Sequence, residues 1–198
     1  MQPGTQYHIY NHANGFENLF RSDENYRYFL RRYEHFITPV ADTFVYCLMP
    51  NHIHFLVRIK TEAEIESTFG KFETFQKLEA RVSKQFANLF SSYTQAYNKM
   101  YSRRGSLFIP NFKRKQITDD HYFTKLIYYI HANPVHHGFA KEIADWTWSS
   151  FHDILLETPS LVKREEIIQW FGNREEFLKF HQQPIDIKPL ESWEFSKG

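Results

Sequence analysis

Two consecutive strands joined by a tight turn constrain this chain more than any other part of its sequence. Residues 44–49 form an apolar run, a Pro-Asn pair typical of a turn follows, and residues 52–57 alternate in character. Because side chains of a strand point alternately to opposite faces, His52 and His54 share one face, while Ile53, Phe55 and Val57 point the other way, toward a core. The pattern predicts a β-hairpin that presents two imidazoles side by side.

The remaining periodicities predict an α+β fold. The order is strand, helix, strand, strand, helix, strand, helix, which is typical of a ferredoxin-like antiparallel sheet with helices packed on one face. A C-terminal helical extension is expected to follow. The predicted segments, in chain order, are a strand near 7–12, a helix that starts at 22–24 and stops at Pro39, the two hairpin strands, a helix over 82–101, an extended segment over 106–117, a helix from 119 to about 132 that ends at Asn133 and Pro134, and short helices near 163–171 and 173–181.

The composition excludes several classes of protein. The single cysteine, Cys47, lies in an apolar run, which rules out a disulfide framework and a cysteine-based zinc site. The N-terminus lacks the basic and then apolar pattern of a signal peptide, and no apolar run approaches the length needed to span a membrane. We therefore expect a soluble, cytoplasmic protein without a membrane partner.

The charged residues are unevenly distributed, although the formal net charge is only +1. Residues 71–115 contain ten Lys and Arg against two Glu, a balance of +8, whereas residues 141–198 contain seven against eleven acidic residues, a balance of −4. This division is compatible with a polyanion contact on one face of the protein. A solvated helix face would give the same composition, so composition alone does not decide.

The last long helix is expected to direct polar groups toward the sheet. Its apolar residues recur at i, i+3, i+4 and i+7, which makes one stripe that faces the sheet. At about 100° per residue, Tyr129 and Asn133 fall together on one flank of that stripe. Tyr122 and Lys125 lie on the same flank, whereas Tyr128 falls well away from it. Tyr129 is therefore the tyrosine expected to reach a site on the sheet, although a tyrosine that only packs at the sheet edge would show the same spacing.

These side chains permit a specific chemistry if they converge. A divalent cation, Mg²⁺ or Mn²⁺, held by His52, His54 and Asn133 would keep open positions for phosphate oxygens and act as a Lewis acid. The phenol of Tyr129 is a competent nucleophile once its proton is removed, with help from a metal or from Lys125. The alternative is a pair of surface histidines and a tyrosine at the sheet edge.

Three motifs, taken in order, resemble one family of enzymes. They are Met-Pro-Asn-His-Ile-His-Phe-Leu-Val at 49–57, Tyr-Tyr-Ile-His-Ala-Asn-Pro-Val-His-His-Gly at 128–138 and Trp-Thr-Trp-Ser-Ser-Phe at 146–151. Together they resemble the single-tyrosine transposases of bacterial insertion sequences, in the His-hydrophobic-His endonuclease superfamily. The resemblance is strongest for the branch called REP-associated tyrosine transposases, and it runs from about Tyr7 to Leu155.

The resemblance implies a ferredoxin-like catalytic domain over 1–155. Two ranges lie outside the family pattern: residues 61–80, which are polar and helix-prone and form a helical insertion or a lengthened helix entry, and the C-terminal helical extension over 156–198. Members of the family nick single-stranded DNA, often beside a hairpin. Their tyrosine attacks a phosphate, forms a 5′-phosphotyrosine link and releases a 3′-OH. Strand transfer later resolves this link.

The family pattern also implies which residues form the site. Asn133 stands where many members have a glutamine as third metal ligand, so His131 and His136 are alternative ligands. Tyr128 is the main rival of Tyr129 as nucleophile. The implied site consists of Tyr129 as nucleophile and His52, His54 and Asn133 as metal ligands.

Single-stranded or hairpin DNA is the implied partner. Basic residues would contact its phosphates, which positions DNA without reading its sequence. Relatives act as dimers or as monomers, so both a homodimer and a monomer are compatible with the sequence. The implied DNA contacts are Arg103, Arg104, Lys113, Arg114, Lys115 and Lys125.

Two other functions compete with a metal-dependent tyrosine transposase. A binding module would hold a DNA or RNA hairpin without cutting it, but binding alone needs none of His52, His54 and Tyr129. A metal-dependent hydrolase that uses water would leave Tyr129 idle and would not explain the basic stretch. The expected function is therefore DNA nicking and strand transfer.

Overall fold

The computed structural model describes residues 1–183 and residue 185. Within this range the chain forms strands, α-helices and one short 3₁₀ helix (Ile143–Asp145). The strands and α-helices, in chain order, are β1 (Gln6–His12), α1 (Asp23–Ile37), β2 (Ala41–Leu48), β3 (His52–Ile59), α2 (Glu62–Phe69), α3 (Phe75–Met100), β4 (Lys113–Gln116), α4 (Asp120–His136), α5 (Ser150–Leu155), α6 (Arg164–Phe171) and α7 (Arg174–His181).

The strands form one antiparallel sheet in the order β2-β3-β1-β4. With α1 between β1 and β2, and α3 between β3 and β4, this is the ferredoxin-like order that the sequence predicts. The predicted hairpin is formed by β2 and β3, which pair from Ala41 opposite Ile59 to Leu48 opposite Ile53. The α+β fold class is confirmed.

Helices cover both faces of this sheet. On one face, Phe55 of β3 packs against Phe29 and Tyr33 of α1, with ring centroids 6.3 and 4.4 Å apart. Helix α3 joins the same layer, because the ring of Tyr93 lies 5.1 Å from that of Phe29. Helix α4 lies on the opposite face, which carries His54. The prediction of helices on one face thus holds for α1 and α3, whereas the apolar stripe of α4 is buried against the second face.

Helix α4 continues past its predicted end. The residue before a proline usually leaves the helical region, yet Asn133 and Pro134 both lie inside α4. The helix ends at His136, and Gly138, two residues later, has a φ of +72°, the left-handed conformation of a Schellman cap. The Gly138 N–H donates to the Val135 carbonyl at 3.1 Å, and the Phe139 N–H donates to the Pro134 carbonyl at 2.8 Å. The predicted end was wrong, because a proline in the last turn removes a single backbone donor and the glycine supplies the actual stop.

The range 61–80, interpreted as an insertion, contains α2 and the first turns of α3. Thr61 caps α2 with a reciprocal pair of hydrogen bonds to Glu64. Helices α6 and α7 agree with the short helices predicted in the extension over 156–198, while residues 184 and 186–198 of that extension lie outside the described residues. No helix in the described part of the chain combines the length and apolar character needed to cross a membrane.

Candidate active site

The histidine pair lies on β3, on the face covered by α4. Antiparallel pairing sets His12 opposite His52 and Tyr10 opposite His54, and residues directly opposite each other share a face. The side chains of His52 and His54 are 1% and 0% exposed, and their ring centroids are 5.1 Å apart. The pair is buried, so it is not a pair of surface histidines.

Asn133 brings an amide from α4 to the ring of His52. The Nδ1 atom of His52 lies 2.8 Å from Oδ1 of Asn51, which is an acceptor, so in the neutral ring Nδ1 carries the hydrogen and Nε2 carries a lone pair. The Asn133 amide donates through Nδ2 to the Tyr129 carbonyl at 3.3 Å, which directs its Oδ1 toward His52. The two acceptors, Nε2 of His52 and Oδ1 of Asn133, face each other at 3.2 Å. A cation between them, either a proton or a metal ion, would relieve the repulsion of their lone pairs.

This geometry fits a small divalent cation. Adjacent ligand atoms at about 2.1 Å from an octahedral ion are about 3 Å apart, close to the 3.2 Å between His52 Nε2 and Asn133 Oδ1. Within residues 1–183 and 185, no group of three or more His, Cys, Asp or Glu side chains is arranged to hold a metal ion. A cation held here would therefore need the amide oxygen of Asn133 in addition to the imidazoles.

Tyr129 projects from α4 against the histidines. Its ring centroid lies 5.7 Å from that of His54 and 6.3 Å from that of His8, edge-on in both cases, and its side chain is 2% exposed. Tyr128 lies on another side of α4, with its ring 6.0 Å from His181 and 6.1 Å from Phe180. The structure thus brings Tyr129, and not Tyr128, to the histidine pair.

His131 is held in a separate buried network. Its Nδ1 lies 2.9 Å from Nε2 of His181, and its Nε2 lies 2.8 Å from Oγ of Ser150. Since Nδ1 of His181 lies 2.8 Å from the carbonyl of Phe177, donors run in one direction from Ser150 through His131 to His181 when both rings are neutral. Burial, with a smaller effect of His181, lowers the pKa of His131 well below its ordinary value. Burial also lowers the pKa of His181 to about 4.

Of the alternative third ligands, His131 is held away from the histidine pair. Both ring nitrogens of His131 lie within hydrogen-bonding distance of groups outside the site. His136 is exposed and lines a cavity of about 690 Å³ together with Tyr128. Of the three candidates, the structure places Asn133 against His52.

Sequence reasoning missed three histidines that surround the pair. The Nε2 atom of His8 lies 3.0 Å from Nδ1 of His54. His12 stacks on His52, and the exposed His137 lies beyond α4, each with its ring centroid 4.8 Å from that of His52. His8 and His12 are four residues apart on β1 and therefore lie on one face of the strand, which the sequence alone could have indicated. The pairing of β1 with β3, which brings that face to His52, is not visible in periodicity.

The predicted DNA contacts on β4 are divided between the two faces. Lys113 lies opposite Tyr10 and Lys115 lies opposite His8, so both lysines share the histidine face. Arg114, between them, points to the other face and lines a groove of about 450 Å³. Lys113 and Arg114 are exposed, whereas Lys115 is half-buried.

Arg103 has several partners within the protein. Its guanidinium donates to Oε1 of Glu17 at 2.8 Å and to Oδ1 of Asn98 at 2.9 Å, and also to two backbone carbonyls farther along its loop. Its side chain is 16% exposed. These bonds tie the loop after β1 to the end of α3 and compete with the predicted phosphate contact. Arg104 is exposed and Lys125 is half-buried on α4.

The chain is similar to a curated protein of Haemophilus influenzae that is provisionally named a REP-associated tyrosine transposase. The two are 27% identical over 113 residues, which cover 56% of this chain and 59% of that protein. The chain therefore matches less than two thirds of the length of this relative. No family model matches the chain.

A solved structure is similar in fold. It is described as a REP-associated tyrosine transposase bound to a REP hairpin, and it matches with a TM-score of 0.55 at 20% identity over 80% of this chain and 84% of that chain. At this identity the match establishes the fold. The relationship predicted from three sequence motifs is confirmed: the chain is related in sequence, and similar in fold, to the REP-associated tyrosine transposases.

Proposed function

We propose that this chain is a transposase-like enzyme that binds hairpin DNA and cuts an adjoining single strand, with Tyr129 as nucleophile and Mg²⁺ or Mn²⁺ as cofactor. Its curated relative carries the name of a tyrosine transposase, and the solved relative is bound to a REP hairpin. The observation that carries the proposal is the meeting of Tyr129 and Asn133 from α4 with His52 and His54 from β3 in one buried site.

The reaction exchanges one phosphate ester for another. The phenol oxygen of Tyr129 attacks the phosphorus of a backbone phosphate, and the P–O3′ bond breaks. The phosphate stays on the 5′ end of the downstream fragment as a phosphotyrosine ester, and the upstream fragment leaves with a 3′-OH. The phenol loses one proton and the leaving oxygen gains one, so the step is balanced and the ester energy is conserved for strand transfer.

The side chains at the site would hold the cation in a fixed geometry. His52, His54 and Asn133 are the ligands that fit, and a divalent cation bound there supplies Lewis-acid polarisation of the scissile phosphate. Asn51 orients the ring of His52. The Tyr129 carbonyl orients the Asn133 amide, so one turn of α4 sets both the ligand and the nucleophile.

Burial limits how DNA reaches these groups. Tyr129, His52 and Asn133 are at most 2% exposed, so a phosphate enters only when side chains at the edge of the site move aside. His137 is exposed and its ring lies 4.8 Å from that of His52, which places it at this edge. A site with little water strengthens the attraction between a cation and phosphate oxygens.

The DNA would lie across the histidine face toward β4. Lys113 and Lys115 point to that face, and β4 is one of the two edge strands of the sheet. Lysines at this position attract phosphates without selecting a base sequence. Specificity for a hairpin would then depend on the shape of the DNA and on unpaired bases beside it.

Covalent capture tests the proposal. The protein is incubated with single-stranded DNA that carries a hairpin, in Mg²⁺ or Mn²⁺, and resolved on a denaturing gel. We expect a protein–DNA adduct for the wild type and for the matched variant Tyr128→Phe, and no adduct for Tyr129→Phe or His52→Ala. An adduct that survives Tyr129→Phe but is lost in Tyr128→Phe would overturn the assignment of the nucleophile.

A non-cleaving hairpin-binding module is the alternative. It predicts tight hairpin binding with no adduct in either cation, and the same affinity for Tyr129→Phe as for the wild type. Both proteins are compared in a binding titration under the conditions of the capture experiment, so that a missing adduct is read together with a measured affinity.

A further inference from the structure

His8 contacts His54 inside the sheet. Its Nε2 lies 3.0 Å from Nδ1 of His54, and the two rings stack with centroids 5.3 Å apart and planes 22° apart. The residues belong to the neighbouring strands β1 and β3, and they are 4% and 0% exposed. The contact is therefore held by paired strands and shielded from water.

The contact between two neutral imidazoles sets a tautomer, because only one hydrogen can lie between the two nitrogens. If His54 donates through Nδ1, its Nε2 carries a lone pair that can bind a cation. If His8 donates instead, the ring hydrogen of His54 lies on Nε2 and blocks that nitrogen. The direction of this one hydrogen bond thus decides whether His54 can act as a ligand.

His52 shows which direction suits the site. Its Nδ1 lies 2.8 Å from the acceptor Oδ1 of Asn51, and its Nε2 lies 3.2 Å from Asn133. His54 has the same arrangement when His8 takes the place of Asn51 as the acceptor for Nδ1–H. Both motif histidines would then carry a lone pair on Nε2 and be held from behind through Nδ1, as metal-binding histidines commonly are.

We propose that His8 is a positioning residue that accepts a hydrogen bond from Nδ1–H of His54 and so holds the Nε2 lone pair of His54 ready for the cation. The inference rests on the proposed function for the cation itself. His8 would not touch the cation or the DNA, and its effect would pass entirely through the ring of His54.

The tautomer is measured on the metal-free full chain by NMR with ¹⁵N-labelled histidine, because protonated and unprotonated ring nitrogens have separate resonances. The signal of His54 is assigned by its loss in His54→Gln. We expect the Nδ1–H form in the wild type and in His8→Gln, whose amide oxygen can accept in place of Nε2, and a shift toward the Nε2–H form in His8→Leu. An Nε2–H tautomer of His54 in the wild type would overturn the inference.

The consequence for the cation is measured by titration with Mn²⁺, with free Mn²⁺ followed by electron paramagnetic resonance. We expect affinity to fall roughly 10- to 100-fold in His8→Leu and to stay within about threefold of the wild type in His8→Gln. His35→Leu, which replaces an exposed histidine of α1, is the matched control and should bind as the wild type does. Wild-type affinity in a folded His8→Leu would also overturn the inference.

A comparison of His52→Ala with His8→Leu separates this inference from the proposed function. Equal Mn²⁺ affinity in the wild type and His52→Ala would overturn the proposed cation site, while the metal-free spectrum would still decide the role of His8. Loss of Mn²⁺ binding in His52→Ala, together with unchanged binding in His8→Leu, would overturn the role of His8 alone. Thermal melting shows whether His8→Leu folds, and if it does not, the wild-type spectrum and the His8→Gln titration decide.

Discussion

The Nε2 atom of His52 lies 3.2 Å from the Oδ1 atom of Asn133, although 81 residues separate them in the sequence. The contact joins β3, a central strand of the sheet, to the last turn of α4. Tyr129 lies one turn earlier in α4, and its backbone carbonyl accepts a hydrogen bond from the same amide. Asn133 therefore ties the position of the candidate nucleophile to the candidate metal ligand.

Removal of the Asn133 amide should weaken cation binding more than it lowers the stability of the fold. In Asn133→Ala, we expect the Mn²⁺ concentration for half-maximal adduct formation to rise by roughly 10- to 100-fold, because a ligand atom is lost. Adduct formation is followed across a Mn²⁺ titration, with Gln169→Ala on the exposed side of α6 as control. If the variant is slower at every Mn²⁺ concentration with an unchanged midpoint, the amide serves to hold Tyr129 and not to bind metal.

The two faces of β4 predict different contributions to DNA binding. Lys113 shares the face of the histidines, whereas Arg114 points to the other face. We expect Lys113→Gln to weaken hairpin binding and to lower the slope of log affinity against log salt by about 0.7 to 0.9, the value for one lost phosphate contact. Arg114→Gln should change the slope less. Equal slopes for the two variants would mean that DNA does not follow the histidine face.

Arg103 is expected to contribute to stability through its bonds to Glu17, Asn98 and two carbonyls. Arg103→Ala should lower the free energy of unfolding by roughly 1 to 3 kcal/mol, since a largely buried charged donor is removed from several acceptors. The exposed Arg104 is the matched control, and Arg104→Ala should change it by about 0.5 kcal/mol or less. Urea unfolding measures both. A fully stable Arg103→Ala with weakened DNA binding would support the phosphate contact predicted from the sequence.

Most of the features that could be predicted from the sequence follow from local periodicity. The alternation of residues 52–57 placed His52 and His54 on one face, and the 100° rotation per residue placed Tyr129 and Asn133 on the flank of α4 that meets them. These inferences succeeded because each depends on the geometry of a single element. The meeting of the strand and the helix is a tertiary fact, and the family resemblance supplied it.

Features that depend on contacts between distant elements were not predictable in this way. The partner of His54, His8, is brought in by the pairing of β1 with β3. Arg103 looked like an exposed cation because its partner Glu17 lies 86 residues away. The predicted end of α4 is wrong for a different reason: Pro134 fits within the last turn of the helix, and Gly138, four residues later, is the stronger signal for a helix end.

The buried pair His131 and His181 predicts how stability depends on pH. Burial lowers the pKa of His131 well below its ordinary value and lowers that of His181 to about 4. In the unfolded chain both rings take up protons near the ordinary histidine pKa of about 6.5. Between about pH 6.5 and 4 the unfolded state therefore binds more protons than the folded state, so the free energy of unfolding falls as the pH falls. The stabilisation is fully present above about pH 6.5.

Urea unfolding at about pH 7.5, 6 and 5 measures this dependence. For each ring that is protonated only in the unfolded state, we expect the wild type to lose on the order of 1 kcal/mol per pH unit below about 6.5. His181→Gln removes one such ring, so its loss between about pH 6 and 5 should be smaller by an amount of that order. His35→Gln, at an exposed position on α1, should follow the wild type. If the free energy of unfolding depends on pH in the same way for His181→Gln and the wild type, His181 is not a source of the acid sensitivity. In that case the hydrogen bonds that link Ser150 to Phe177 through neutral histidine rings are not the arrangement that stabilises the fold.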